Sequence, residues 1–79
     1  MLSRKLVKTD RIEVGGRAYT VEYYETTTIR GTQRYSSELM LGPGDRIIVD
    51  GSSLGVLEWR VARLMPATLY SRMLARAAA

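Results

Sequence analysis

The chain has 79 residues and a formal net charge of +4, from 12 basic and 8 acidic side chains, and it contains neither histidine nor cysteine. A chain of this length forms one small domain, residues 1–79. The missing imidazole and thiol groups exclude serine–histidine–aspartate triads, cysteine nucleophiles, zinc fingers and haem ligation by histidine. We therefore predict a protein that is not an enzyme and that holds no metal or cofactor.

The same composition bears on location. A chain without cysteine fits a reducing compartment. Residues 1–8 are basic, but no apolar run of signal-peptide length follows them, and no segment approaches the length of a membrane span. We predict a cytoplasmic protein outside the membrane, with residues 1–9 forming a basic N-terminal arm.

Residues 10–50 alternate between polar and apolar side chains, with turn residues at regular intervals. This pattern predicts a four-stranded antiparallel meander. Gly15 and Gly16 form a two-residue hairpin signal, because both central positions of such a turn require a positive φ. Closing this turn pairs Val14 with Arg17.

Two further turns set the rest of the register. A three-residue loop over residues 29–31 pairs Val21 with Leu39 and so sets apolar residues opposite each other. A three-residue loop within residues 42–45, which join Leu41 to Arg46, pairs Leu39 with Val49. Together the three turns predict one apolar face made of Ile12, Val14, Tyr19, Val21, Tyr23, Leu39, Leu41, Ile47 and Val49.

Residues 52–78 have a helical pattern, with Ser52 or Ser53 as the N-cap. The stripe predicted to cover the sheet is Leu54, Leu57, Val61 and Leu64. Pro66 lacks the N–H that a helix interior needs, so it kinks this helix or opens a second short one. The fold class is therefore α+β, a four-stranded antiparallel meander packed on a C-terminal helix.

The outer face of the sheet is a first candidate surface. The predicted registers send Thr20, Tyr24, Met40 and Ile48 to the side away from the helix, with Met40 opposite both Thr20 and Ile48. A contiguous apolar strip of this kind marks a surface for a protein partner or a second copy of the chain. Cover by a second helix is the alternative.

A second candidate lies in the C-terminal region, where Arg60, Arg63, Arg72 and Arg76 occur with no acidic residue after Glu58. On helices these arginines form a basic ridge that could lie along phosphates, with Trp59 beside it for stacking. The alternative is that the cations complement the helix dipole and keep an exposed face soluble.

A third candidate is the pair Glu22 and Glu38, which the register sets opposite each other. Two carboxylates held close can share a proton or bind a cation. The favoured alternative is that Arg34, Arg46 or Arg11 lies between them, since no further oxygen ligand is evident.

These patterns favour a small non-catalytic interaction module, which self-associates or binds a protein partner through the outer sheet face or the tail helix. Nucleic-acid binding by the arginine ridge is the alternative function.

Overall fold

The computed structural model describes residues 3–78, with the backbone alone described at residue 78. The chain forms four strands, β1 (Ser3–Val14), β2 (Arg17–Thr27), β3 (Gln33–Gly42) and β4 (Asp45–Gly51), followed by one helix, α1 (Leu54–Ala78). The strands form a single antiparallel sheet in the order β1-β2-β3-β4. The predicted α+β meander with a C-terminal helix is confirmed.

The first two turns have the predicted geometry. Gly15 and Gly16 adopt φ values of 62° and 78°, and Val14 pairs with Arg17. The second turn closes through a hydrogen bond from Thr28 N to the carbonyl of Thr32, at 2.9 Å. Its last loop residue, Gly31, has a φ of 80°, and Val21 pairs with Leu39 as predicted.

The predicted register of the third turn is wrong by two residues. Leu39 pairs with Ile47, where a three-residue loop would pair it with Val49. Pro43 and Gly44 make a two-residue turn between Gly42 and Asp45, because proline sets φ at the first central position and Gly44 takes a φ of 73° at the second. An irregularity between Met40 and Gly42 accommodates the extra residue.

The apolar face is nevertheless the predicted one, because a shift of two residues leaves every side chain on the same side of the sheet. Four of its members are buried, namely Val21, Tyr23, Leu39 and Ile47. The other five are partly buried and pack against this core. Ser37, also fully buried, donates from its hydroxyl to the carbonyl of Val49 at 3.3 Å.

The sheet begins earlier than predicted. Within the segment expected to be an arm, residues 3–9 belong to β1 and pair with the distal half of β2; residues 1 and 2 lie outside the described part. A contact with the helix anchors this half, since the Lys8 ammonium lies 2.7 Å from Oε2 of Glu58. That hydrogen bond raises the pKa of Lys8 above its ordinary value of 10.5.

The cap of α1 is Ser53, one of the two residues predicted. Its hydroxyl accepts a hydrogen bond from Val56 N at 3.2 Å, and its carbonyl accepts the first helical bond, from Leu57 N at 3.0 Å. The buried stripe continues further along the helix than predicted, and consists of Leu57, Val61, Met65 and Leu69. Leu64 was expected in this stripe but is exposed, because the helix contacts the sheet along a row of residues spaced by four.

Pro66 does not end the helix. Helical structure runs unbroken from Leu54 to Ala78, so no second helix opens at the proline. Because proline has no N–H, the carbonyl of Ala62 lacks its helical hydrogen-bond donor. Ala62 is exposed, so a water molecule can donate a hydrogen bond to this carbonyl instead. The buried residues Met65 and Leu69 hold the helix on the sheet on either side of the proline.

Candidate interaction surfaces

The outer sheet face does not carry the continuous apolar strip that was predicted. Met40 and Ile48 are about half-exposed and Thr20 is exposed, but the third turn pairs Met40 with Arg46 and Ile48 with Glu38. Charged side chains therefore alternate with apolar ones across β3 and β4. The predicted pairing of Met40 with Ile48 is wrong, because β4 is shifted by two residues relative to the predicted register.

Tyr24, the fourth residue of that predicted strip, is covered by the first strand. The guanidinium of Arg4 lies 3.8 Å from the centre of the Tyr24 ring. Burial raises the pKa of Tyr24, the Glu22 carboxylate raises it further, and the cation of Arg4 opposes both effects. The Tyr24 ring is thus a site of internal packing.

Glu22 and Glu38 lie opposite each other as predicted. Oε1 of Glu38 is 2.7 Å from Nη2 of Arg4 and 3.5 Å from Nη1 of Arg46. The Glu38 side chain, 14% exposed, is therefore compensated by two cations. One of them, Arg46, is among the arginines named from sequence, whereas Arg4 was missed because its strand was taken for an arm. Within the described residues no three acidic side chains come together as a metal site.

The structure places the four C-terminal arginines at three different sites. Arg72 and Arg76 both bind the carboxylate of Asp45, at the start of β4. Arg60 points toward the other end of the same strand, where its Nη1 donates to the carbonyl of Asp50 at 3.0 Å. The single basic ridge expected from the sequence is therefore not formed.

Arg63 and Trp59 form the centre of a different surface. The Arg63 guanidinium lies 4.9 Å from the centre of the Trp59 ring, which is the geometry of a cation–π contact. Trp59 is 60% exposed, and further along the helix Tyr70 and Leu74 are 58% and 54% exposed. These large side chains face solvent although α1 already buries another apolar face.

We call this surface the outer helix face, and define it as Val56, Trp59, Arg63, Tyr70 and Leu74. At 100° per residue these five positions lie within about 60° of one another around the helix axis, opposite the buried stripe. Sequence reasoning missed it, because a single apolar stripe was predicted along the helix and Trp59 and Arg63 were assigned to a basic ridge. The sequence does contain a signal for this face. The spacing of three and then four residues from Val56 to Trp59 to Arg63 recurs from Ala67 to Tyr70 to Leu74.

A groove runs between α1 and the edge strand β4. It encloses about 560 Å³, and its helical wall is a row of residues at intervals of four, Arg60, Leu64, Thr68 and Arg72. Ile48 is 49% exposed beside it. Since β4 has a neighbour on one side alone, the groove follows backbone groups that have no strand partner.

A smaller cavity of about 260 Å³ lies between the first hairpin and the C-terminal part of the helix. Arg17, Arg72 and Arg76 surround it, and Tyr19, Leu41, Leu69 and Met73 form its apolar wall. Two of these cations already share Asp45. The cavity is therefore a weaker candidate than the two longer surfaces.

Comparison of the chain with protein-family models, with curated proteins and with solved structures finds no match. No helix in the described part of the chain combines the length and the apolar character that crossing a membrane requires.

Proposed function

We propose that this protein is a small, non-catalytic, cytoplasmic interaction module that binds a second copy of itself through the outer helix face. The observation that carries the proposal is the helix with two apolar faces. One face covers the sheet, and the other exposes Trp59, Tyr70 and Leu74. Large apolar side chains that are exposed along one face of an element mark an interaction surface.

The order of residues along the outer helix face favours a second copy as its partner. Two antiparallel helices related by a two-fold axis next to Pro66 and Ala67 would set Trp59 of one copy against Leu74 of the other. They would also set Arg63 against Tyr70 of the other copy, where a guanidinium can stack on the ring. An interface of this kind is self-complementary, as a two-fold dimer requires.

The centre of this arrangement suits close packing. Pro66 and Ala67 are small, so the two helix axes can approach each other there. Arg63 lies on the outer helix face about 5 Å from the proposed axis along the helix, at 1.5 Å per residue. The two copies of Arg63 would then be about 10 Å apart, a separation at which salt screens most of their repulsion.

The test is the mass of the protein in solution by sedimentation equilibrium. Leu74→Glu should raise the dissociation constant of the contact between the two outer helix faces by about 100-fold or more, because each contact loses two leucine side chains worth roughly 1.5 kcal/mol apiece and buries two charges. The average mass of this variant should therefore fall below that of the unmodified chain. Ile29→Glu is the matched control, since Ile29 is 81% exposed on the loop between β2 and β3. Equal average masses for Leu74→Glu and the unmodified chain at every concentration would contradict the proposal, and binding to a different protein partner would then be the remaining use of this face.

A second candidate function is nucleic-acid binding, which the exposed stack of Trp59 and Arg63 favours because such a pair can stack on bases. Arg60 would add a phosphate contact. The measurement is a titration of the fluorescence of Trp59, the one tryptophan in the chain, with random single-stranded nucleic acid. A saturable change that weakens steeply with salt would support this function; a flat response at low salt would count against it.

A further inference from the structure

The two edge strands of the sheet differ in how they are protected. The ladder of β1 shifts register between Leu6 and Lys8, which interrupts its regular edge. The ladder of β4 is regular from Arg46 to Gly51. Regular edge strands are templates for further strand pairing, whereas bulges block it. The β4 edge is therefore the open one.

Two hydrogen bonds show which backbone groups of β4 point away from the sheet. The carbonyl of Val49 accepts from the hydroxyl of Ser37 and so faces β3. The carbonyl of Asp50 accepts from Arg60 of the helix and so faces outward. Because the direction of backbone groups alternates along a strand, the N–H and carbonyl groups of Arg46 and Ile48 face outward as well.

We propose that β4 pairs antiparallel with β4 of a second copy, with Ile48 opposite Ile48 at a two-fold axis. In this register Arg46 of each copy lies opposite Asp50 of the other copy. The three side chains share the outer face of the sheet and are exposed. Opposite charges directly across an antiparallel pair stabilise it, and a two-fold pairing makes the same contact twice.

The charges along β4 favour β4 of a second copy as the strand that pairs with this edge. A strand that pairs with the β4 edge meets a cation at Arg46, an apolar side chain at Ile48 and an anion at Asp50. Read in the antiparallel direction, β4 itself offers the complementary order of anion, apolar side chain and cation. An all-acidic or all-basic strand would meet repulsion at one end.

The groove beside β4 leaves room for the second strand. Leu64, on the helical wall of this groove, is 53% exposed and would be covered by the incoming copy. Arg60 already bonds the carbonyl of Asp50, and this oxygen has a second lone pair for the new strand. The paired sheets would form one continuous sheet of eight strands.

The outer helix face and the β4 edge are separate surfaces, so this pairing is independent of the proposed helix dimer. A molecule with two self-complementary surfaces forms closed assemblies or open chains larger than a dimer, and one with a single such surface forms dimers. The unmodified chain should therefore exceed the dimer mass at high concentration.

Sedimentation velocity on four proteins separates the two surfaces. We expect assemblies larger than a dimer for the unmodified chain, dimers for Leu74→Glu and for Arg46→Asp, and a monomer for the double variant. Monomeric Leu74→Glu would overturn strand pairing while leaving the helix dimer intact. The unmodified chain could instead form dimers that Arg46→Asp dissociates and that Leu74→Glu leaves intact. This result would support strand pairing and overturn the helix dimer.

A charge swap tests the register in the Leu74→Glu background. Arg46→Asp and Asp50→Arg should each weaken the remaining dimer at least tenfold, since each sets like charges opposite each other twice. An equimolar mixture of these two variants should regain dimers, because every 46–50 pair across the interface is again of opposite sign. Arg11→Asp, on the outer face of the other edge strand, is the control and should change nothing.

Regained dimers also show that both variants are folded, which matters because Arg46 lies 3.5 Å from Glu38 within its own chain. A mixture that stays monomeric while both variants melt cooperatively would overturn the proposed register.

Discussion

Gly15 is the residue where backbone conformation and packing constrain the chain together. Its φ of 62° favours glycine, and a Cβ added there would lie 2.6 Å from Cε of Met73 in the helix. Gly16, its neighbour, has a φ of 78° but no atom within 4 Å of the corresponding position. Substitutions at the two glycines therefore distinguish the cost of a strained backbone, which both share, from the cost of a steric clash, which arises at Gly15.

We predict that Gly16→Ala lowers the free energy of unfolding by about 1 kcal/mol, through backbone strain alone. Gly15→Ala should lower it somewhat further, by about 1.5 kcal/mol in all, because the flexible end of the Met73 side chain must also move aside. Chemical denaturation of both variants measures the difference. Equal losses at the two positions would mean that the contact between Gly15 and Met73 does not hold the first hairpin against the helix.

The sequence contains the hairpin signal at Gly15 but not the contact with Met73. Two adjacent glycines between alternating strands require a turn with two positive φ values, whatever the rest of the chain does. The contact with Met73 depends on how far the helix extends past Pro66, which local pattern does not decide. In the same way, an arginine beside Glu38 was predictable from charge, but its identity as Arg4 depended on where β1 begins.

At the scale of elements, the side of the sheet that each residue occupies was predictable, and the register of the last hairpin was not. Shifting β4 by two residues exchanges Val49 for Ile47 opposite Leu39 and leaves the same residues facing the helix. Hydrophobic pattern therefore cannot distinguish the two registers. Turn chemistry at Pro43 and Gly44 decides between them, and it moves Arg46 next to Met40.

Helix α1 shows a related limit. A single apolar stripe along the helix predicts that Leu64 lies on the face that covers the sheet. The structure buries Met65 and Leu69 and exposes Leu64, Tyr70 and Leu74. When apolar residues occur on both sides of a helix, the sequence pattern alone does not determine which side packs on the sheet. The apolar residues that do not pack on the sheet include those of the outer helix face, for which we propose a partner.

At the scale of the whole molecule, the thin core and the two exposed surfaces have a common explanation. A chain of 79 residues buries a smaller share of its surface than a larger domain does, and the proposed association would add to that burial. The outer helix face offers apolar side chains for this purpose, and the β4 edge offers unpaired backbone groups. In the two proposed arrangements both surfaces are self-complementary, which is why we propose further copies of the chain as the partner.

The most direct test of the proposed helix dimer is a cross-link at its two-fold axis. The chain contains no cysteine, so Ala67→Cys introduces a single thiol next to that axis. A disulfide forms where two Cα atoms lie about 4.4–6.8 Å apart, a separation that close helix packing at this position allows. Ile29→Cys is the control, on an exposed loop away from both proposed surfaces.

Under mild oxidation of the folded protein, the Ala67→Cys variant should convert to a covalent species of twice the 8.9 kDa chain mass, far faster than the Ile29→Cys variant. If the two variants cross-link at the same slow rate, the outer helix faces do not meet in solution and the proposed helix dimer is wrong.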